Sequence, residues 1–173
     1  MNHTLISLLC AASFAAGAAE PKMQTATAEF INAKGERIGT ATLVQSAAGV
    51  LIEAQLTGLP HGMHAFHVHA VGKCDAATGF KSAGDHYAAR RKQHGFLVEG
   101  GPHSGDMTNQ YVPIDGVLRA SVLNPDVTLT PGEATLFDED GSSLVLHAGE
   151  DDYRTQPSGN AGDRIACAVV KRK

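Results

Sequence analysis

The sequence predicts an all-β protein, an antiparallel sandwich or barrel that carries two long ordered loops. Three observations support this. From Met23 onward, apolar and polar residues alternate with period two in runs rich in Thr, Val and Ile, the pattern of half-buried strands. Turn signals separate these runs at short intervals, at Lys34-Gly35, Ala48-Gly49 and Gly58-Leu59-Pro60. No stretch keeps a helical period, and there is no internal repeat.

Taken in order, "TATAEFINA", "IGTATLVQ" and "VLIEAQLTG" read as three strands. "HAFHVHA" is a fourth candidate. Residues 72–111 show little alternation and much Gly, Asp and His, and read as a long ordered loop. "GVLRASVL" resumes the strand pattern. "TLTPGEATLFDEDGSSLVLHAG" reads as a turn and a strand. Residues 148–163 form a second long loop, and "RIACAVV" is the closing strand. Two such loops in a compact domain are expected only where they carry function. Both are dense in metal-ligand residue types.

At 173 residues the chain is expected to hold one domain. Trp is absent and aromatics are 5% of the chain, so the core is built from Val, Leu, Ile, Ala and Phe. A net charge of -4 argues against a general nucleic-acid binder. The longest basic cluster, Arg90-Arg91-Lys92, reads as a solvated loop.

The N-terminal "LISLLCAASF" (Leu5–Phe14) is an apolar run too short to span a membrane. The small residues of "AAGAAE" follow it, as at a signal-peptide cleavage site. Cleavage after Ala18 or Ala19 gives a leader over residues 1–19 and a domain over 20–173. No membrane anchor is expected, and the location is periplasmic or secreted. Removal of the leader leaves two cysteines, Cys74 and Cys167. In an exported chain they suggest one disulfide, with two free thiols as the alternative.

The stretch "HAFHVHAVGKC" spends three of the nine histidines on one apolar run. Alternate side chains of a strand share a face. Phe66 and Val68 mark the core side, so His67 and His69 point away from it, with Cβ atoms about 7 Å apart. Two imidazoles at that spacing can converge on one ion. His64 lies on the core side and reads as structural, and His61 as a loop residue. His86, His94, His103, Asp106 and His147 bring the candidate ligands to seven. That is too many for one tetrahedral ion and suggests two. Imidazole suits copper and zinc, and three His with one Asp make a closed zinc set.

The ordered series "HAFHVHAVGKC…SAGDHY…HG…GPHSGDM…LVLHAG…GNAGDRIACAVV" closely resembles copper/zinc superoxide dismutase of the bacterial exported branch, over roughly residues 24–170. The resemblance implies an eight-stranded Greek-key barrel and the dismutation of superoxide to molecular oxygen and hydrogen peroxide. It implies one copper and one zinc per chain. His67, His69 and His147 would ligate copper, and His86 would bridge the two metals. His94, His103 and Asp106 would complete the zinc site. Cys74 and Cys167 would pair, Arg164 would sit above the copper, and Asp151 would link a copper histidine to a zinc histidine. Superoxide is the partner implied. Bacterial members include monomers and homodimers, so both states stay open.

Three positions depart from the family pattern. Ala65 stands where glycine is usual. Asp85 precedes His86 where a small or neutral residue is usual, which puts a negative charge beside an anion's site. "YAARRKQ" replaces the common Phe-Asn-Pro run. None removes a ligand. Three rival readings remain, of which a family variant binding copper only is opposed by His94, His103 and Asp106. An exported copper- and zinc-holding protein without turnover would need the ligands but not Arg164. A zinc hydrolase would need an open position and a general base, yet Glu99 and Glu150 lie in no such motif.

Overall fold

The computed structural model describes residues 23–173. The expected leader and its boundary at residue 19 lie outside the described residues. Nine strands are present among these residues: β1 (Thr25–Asn32), β2 (Arg37–Ser46), β3 (Gly49–Leu56), β4 (Gly62–His64), β5 (Phe66–His69), β6 (Gln110–Val112), β7 (Leu118–Asn124), β8 (Ser143–His147) and β9 (Arg164–Arg172). Seven form one antiparallel sheet in the order β5-β8-β9-β1-β2-β3-β7, and β4 pairs with β6. β6 lies beside β7, and β4 runs on through Ala65 into β5. The sheet therefore curls back on itself as a barrel.

The expected single strand "HAFHVHA" is interrupted at Ala65, which divides it into two elements, β4 and β5. Before the interruption, Met63 faces Tyr111 of β6. After it, His67 faces Val145 of β8. Ala65 itself stays paired: its N–H donates to Gly149 O and its carbonyl accepts from His147 N–H. The end of the expected 72–111 loop forms β6. Three residues are too few to show a period, so this strand left no pattern in the sequence.

The alternation in β1, β3 and β7 does what period two requires. Ala26, Ala28, Phe30, Val50, Ile52, Leu56, Leu118 and Val122 fill the core, and their neighbours face water. β5 and β8 differ, since every residue in them is buried. Phe66, Val68, Leu144 and Leu146 enter the main core. The opposite face is covered by the long loops. Phe80, Ala83, Val145 and Cys167 form a second apolar cluster there. Burying Phe80, which is fully enclosed, contributes about 1.5–3 kcal/mol toward holding that loop down.

A disulfide fastens the same loop. Cys74 and Cys167 are bonded, with Cα atoms 5.7 Å apart and a sequence separation of 93. The one-disulfide expectation therefore holds. Among the described residues no helix is long and apolar enough to cross a membrane.

Candidate metal centre

Period two puts His67 and His69 on the outer face of β5, as expected, but the loops bury both completely. His86 reaches them because its segment lies against β5. His69 and His86 form an isolated antiparallel bridge, Tyr87 N–H donates to Val68 O, and Ala70 N–H donates to Asp85 O. His147 ends β8, at a bulge opposite Arg164 of β9. The result is two groups of four residues. Ligand atoms of His67, His69, His86 and His147 lie within 4.8 Å of one another, and so do those of His86, His94, His103 and Asp106. His86 belongs to both.

Hydrogen bonds identify which nitrogen of each ring is available. His69 Nδ1 donates to Gly84 O at 3.0 Å and His147 Nδ1 to Gly162 O at 3.3 Å. Their Nε2 atoms are left facing each other at 3.3 Å. His67 Nε2 donates to Asp151 Oδ2 at 2.9 Å, which leaves Nδ1. Buried polar atoms rarely lack a partner, yet His67 Nδ1, His86 Nε2 and His103 Nδ1 have none. All three point into the groups. In the second group, Asp106 Oδ1 lies 2.9 Å from His86 Nδ1, 3.1 Å from His94 Nδ1 and 3.4 Å from His103 Nδ1. Orphaned ring nitrogens gathered around one point are what a cation would satisfy. One all-nitrogen set and one set of three nitrogens and an oxygen fit copper and zinc.

The electrostatics agree. Burial lowers the His69 pKa well below its ordinary value, and the neighbouring His86 adds to this. Burial brings His86 down to about 4 and His147 to about 3. These rings are neutral at physiological pH, with lone pairs free for a cation. Burial works to raise the Asp106 pKa, but the neighbouring His103, His86 and His94 side chains and the Gly95 N–H hold it far below the carboxylate range. The same opposition keeps Asp151 ionised, through His67, His94 and Tyr153 N–H. Burial opposes the charged form of His94, yet its bonds to Asp106 and Asp151 raise it to about 9.

Asp151 is the link between the two groups. It is fully buried, with Oδ2 on His67 Nε2 and Oδ1 on His94 Nε2, each at 2.9 Å. Such outer bonds fix ring orientation and tautomer. Its backbone is clamped by Asn109, which exchanges two hydrogen bonds with it. Asn109 N–H in turn donates to the Tyr153 hydroxyl at 2.7 Å. Gly159 lies so close that a Cβ there would strike Asp151 Oδ1 and His94 Nε2, and its φ is +68°. Only glycine meets both demands. Sequence reasoning missed Asn109, Tyr153 and Gly159. Of these, only the glycine carried a signal, as one of many in a loop.

Arg164 lies at the mouth. With Asp85, His86, His147 and Ser158 it lines an open cleft of about 400 Å³. Its Nη1 donates to Phe80 O and its Nη2 to Gly84 O, both at 2.7 Å. Gly84 O thus holds Arg164 and His69 together. His61 and His64 stand outside both groups. His64 is buried with Nδ1 2.8 Å from His147 O and Nε2 2.9 Å from Pro60 O. His61 is exposed and touches Tyr111.

A curled antiparallel barrel with two four-residue groups sharing one histidine defines a class: a β-barrel protein built for a bridged pair of metal ions. The family model described as copper/zinc superoxide dismutase matches residues 37–170, and the chain belongs to that family. Superoxide dismutase (Cu-Zn) 1 of Aquifex aeolicus is 48% identical over 94% of this chain and 96% of its own length. The Caulobacter vibrioides superoxide dismutase (Cu-Zn) is 41% identical over 85% of this chain and 86% of its own. Among solved structures, a SOD-like protein from Bacillus subtilis matches with a TM-score of 0.79 at 33% identity, covering 83% of this chain and 96% of that one. Cu/Zn superoxide dismutase from Brucella abortus gives 0.69 at 26% identity, over 85% and 99%.

Proposed function

We propose that this chain dismutates superoxide to oxygen and hydrogen peroxide in an exported compartment. In this reading His67, His69, His86 and His147 would hold copper, and His86, His94, His103 and Asp106 would hold zinc. Bound copper would supply the one-electron couple that takes an electron from one superoxide and returns it to the next, while zinc supplies a fixed charge.

The chain's own residues do the rest. Arg164 draws the anion into the cleft, and its two carbonyl bonds keep the guanidinium aimed there. His86 Nε2 is buried and unpartnered within the protein, so it can hold one proton and pass it to the departing peroxide. The second proton comes from water in the cleft. Asp106 Oδ1 keeps the other edge of that ring fixed, at 2.9 Å from Nδ1. Asp151 locks His67 so that Nδ1 remains its free nitrogen. The apolar run before the domain and the disulfide in it support export.

The sharing of His86 between the two groups is the observation that carries this reading. Its test is metal analysis of purified protein together with a superoxide assay on wild type and His86→Ala. One copper and one zinc per chain are expected, with turnover that falls sharply in the variant and a changed cupric spectrum. Copper without turnover would instead make this a metal-holding protein. A wild-type spectrum in His86→Ala would mean His86 is not the bridge.

A further inference from the structure

The cleft leads to the copper group, since His67 and His69 are fully buried while His86 and His147 line its wall. Its formally charged lining is Arg164 and Asp85. Resting on the proposed function above, we infer that Asp85 biases this cleft toward cations over anions: it slows the approach of superoxide and speeds the capture of the copper ion.

Asp85 is exposed, but its backbone cannot swing away. Its carbonyl accepts from Ala70 N–H at 2.9 Å, and the next residue bridges to His69 on β5. The carboxylate is not neutralised locally. Both amino groups of Arg164 are committed to backbone carbonyls, and among the described residues no ion pair joins the two side chains. They still sense each other. Burial lowers the Arg164 pKa, and the Asp85 charge pushes it back up. An incoming ion therefore meets one charge of each sign, and the pull of Arg164 on an anion is blunted.

Asp85 and Arg164 act on the two visitors with opposite sign. A unit charge at about 8 Å, with an effective dielectric constant of about 40 to 80, changes the encounter rate of a monovalent ion by about two- to sixfold. A divalent ion feels twice the energy, so its rate changes by the square, about five- to thirtyfold.

The experiment compares wild type, Asp85→Asn and Asp85→Glu as full-length mature protein. Zinc-loaded, copper-free samples are mixed rapidly with copper(II), and capture is followed by the cupric absorbance. The copper-loaded samples are then assayed for superoxide kcat/KM, both at low and high ionic strength. Asp85→Asn is expected to capture copper about five- to thirtyfold more slowly and turn over superoxide about two- to sixfold faster. Both differences should shrink with added salt, and Asp85→Glu should behave as wild type. Unchanged capture, shifts of the same sign in both rates, or shifts indifferent to salt would each overturn the inference, because a disturbed loop would produce them and a field would not. If the wild type lacks turnover, the proposed function fails while the capture rates still decide the role of Asp85.

Discussion

Asp151→Asn replaces one buried carboxylate oxygen by an NH2 group at constant size, and the structure dictates which end suffers. Oδ1 accepts two bonds, from Tyr153 N–H at 2.6 Å and from His94 Nε2 at 2.9 Å. Oδ2 accepts one, from His67 Nε2 at 2.9 Å. The amide oxygen therefore keeps the Oδ1 position, and the NH2 group turns toward His67. Two N–H donors then face each other in a site closed to water. The conflict is relieved only if His67 moves its proton to Nδ1, the nitrogen aimed at the copper group. Either outcome weakens the copper set, and the zinc set keeps its bond through His94. Loss of such an outer partner typically costs about 10–100-fold in metal affinity, or about 1.4–2.8 kcal/mol. Competition titrations against a chelator, run separately for each metal, should show copper affinity falling by about that factor and zinc affinity by less than about threefold. The metal-free variant should also melt lower, because opposed buried donors cost about 1–3 kcal/mol. A zinc loss equal to or larger than the copper loss would refute the reasoning, and so would unchanged copper affinity.

Arg164→Ile should keep both metals but lose about tenfold in kcat/KM, with a weaker dependence on ionic strength. Arg164→Lys should fall between, since the charge remains while the fork that spans Phe80 O and Gly84 O is lost. An unchanged salt dependence in Arg164→Ile would assign this residue to loop anchoring alone. Cys74→Ser releases, in the unfolded chain, a loop closed over a sequence separation of 93 and should destabilise by about 4–5 kcal/mol, read as a lower melting temperature. The metal-free protein should lose stability as pH falls. Burial holds His86 near 4 and His147 near 3, while in the unfolded chain both take up protons near 6.5. The unfolded state therefore binds more protons below 6.5, and the unfolding free energy should drop from there toward pH 4 by up to about 1.4 kcal/mol per pH unit for each ring, read as a lower melting temperature. A metal-free melting temperature flat between pH 7 and 4 would contradict the neutral, buried assignment of these rings.

The sequence by itself determined the β class, the place of most strands, and the face on which His67 and His69 stand, because a strand's period is local and needs no knowledge of its partners. It also determined that a second metal site was needed, since seven candidate ligands exceed one ion. The interruption at Ala65 was decided by the tertiary structure. It depends on β6 and β8 offering edges on either side, and nothing in "HAFHVHA" encodes those neighbours. The choice of ring nitrogen at each histidine was decided there too, by the carbonyls of Gly84 and Gly162 and the carboxylate of Asp151. So was the clamp of Asn109 on Asp151, across 42 residues of chain. Such contacts join loops with no periodicity, brought together by the disulfide and by Phe80 under the loop. Their geometry follows from the path of the whole chain, and a residue's nearest neighbours in sequence carry no record of it.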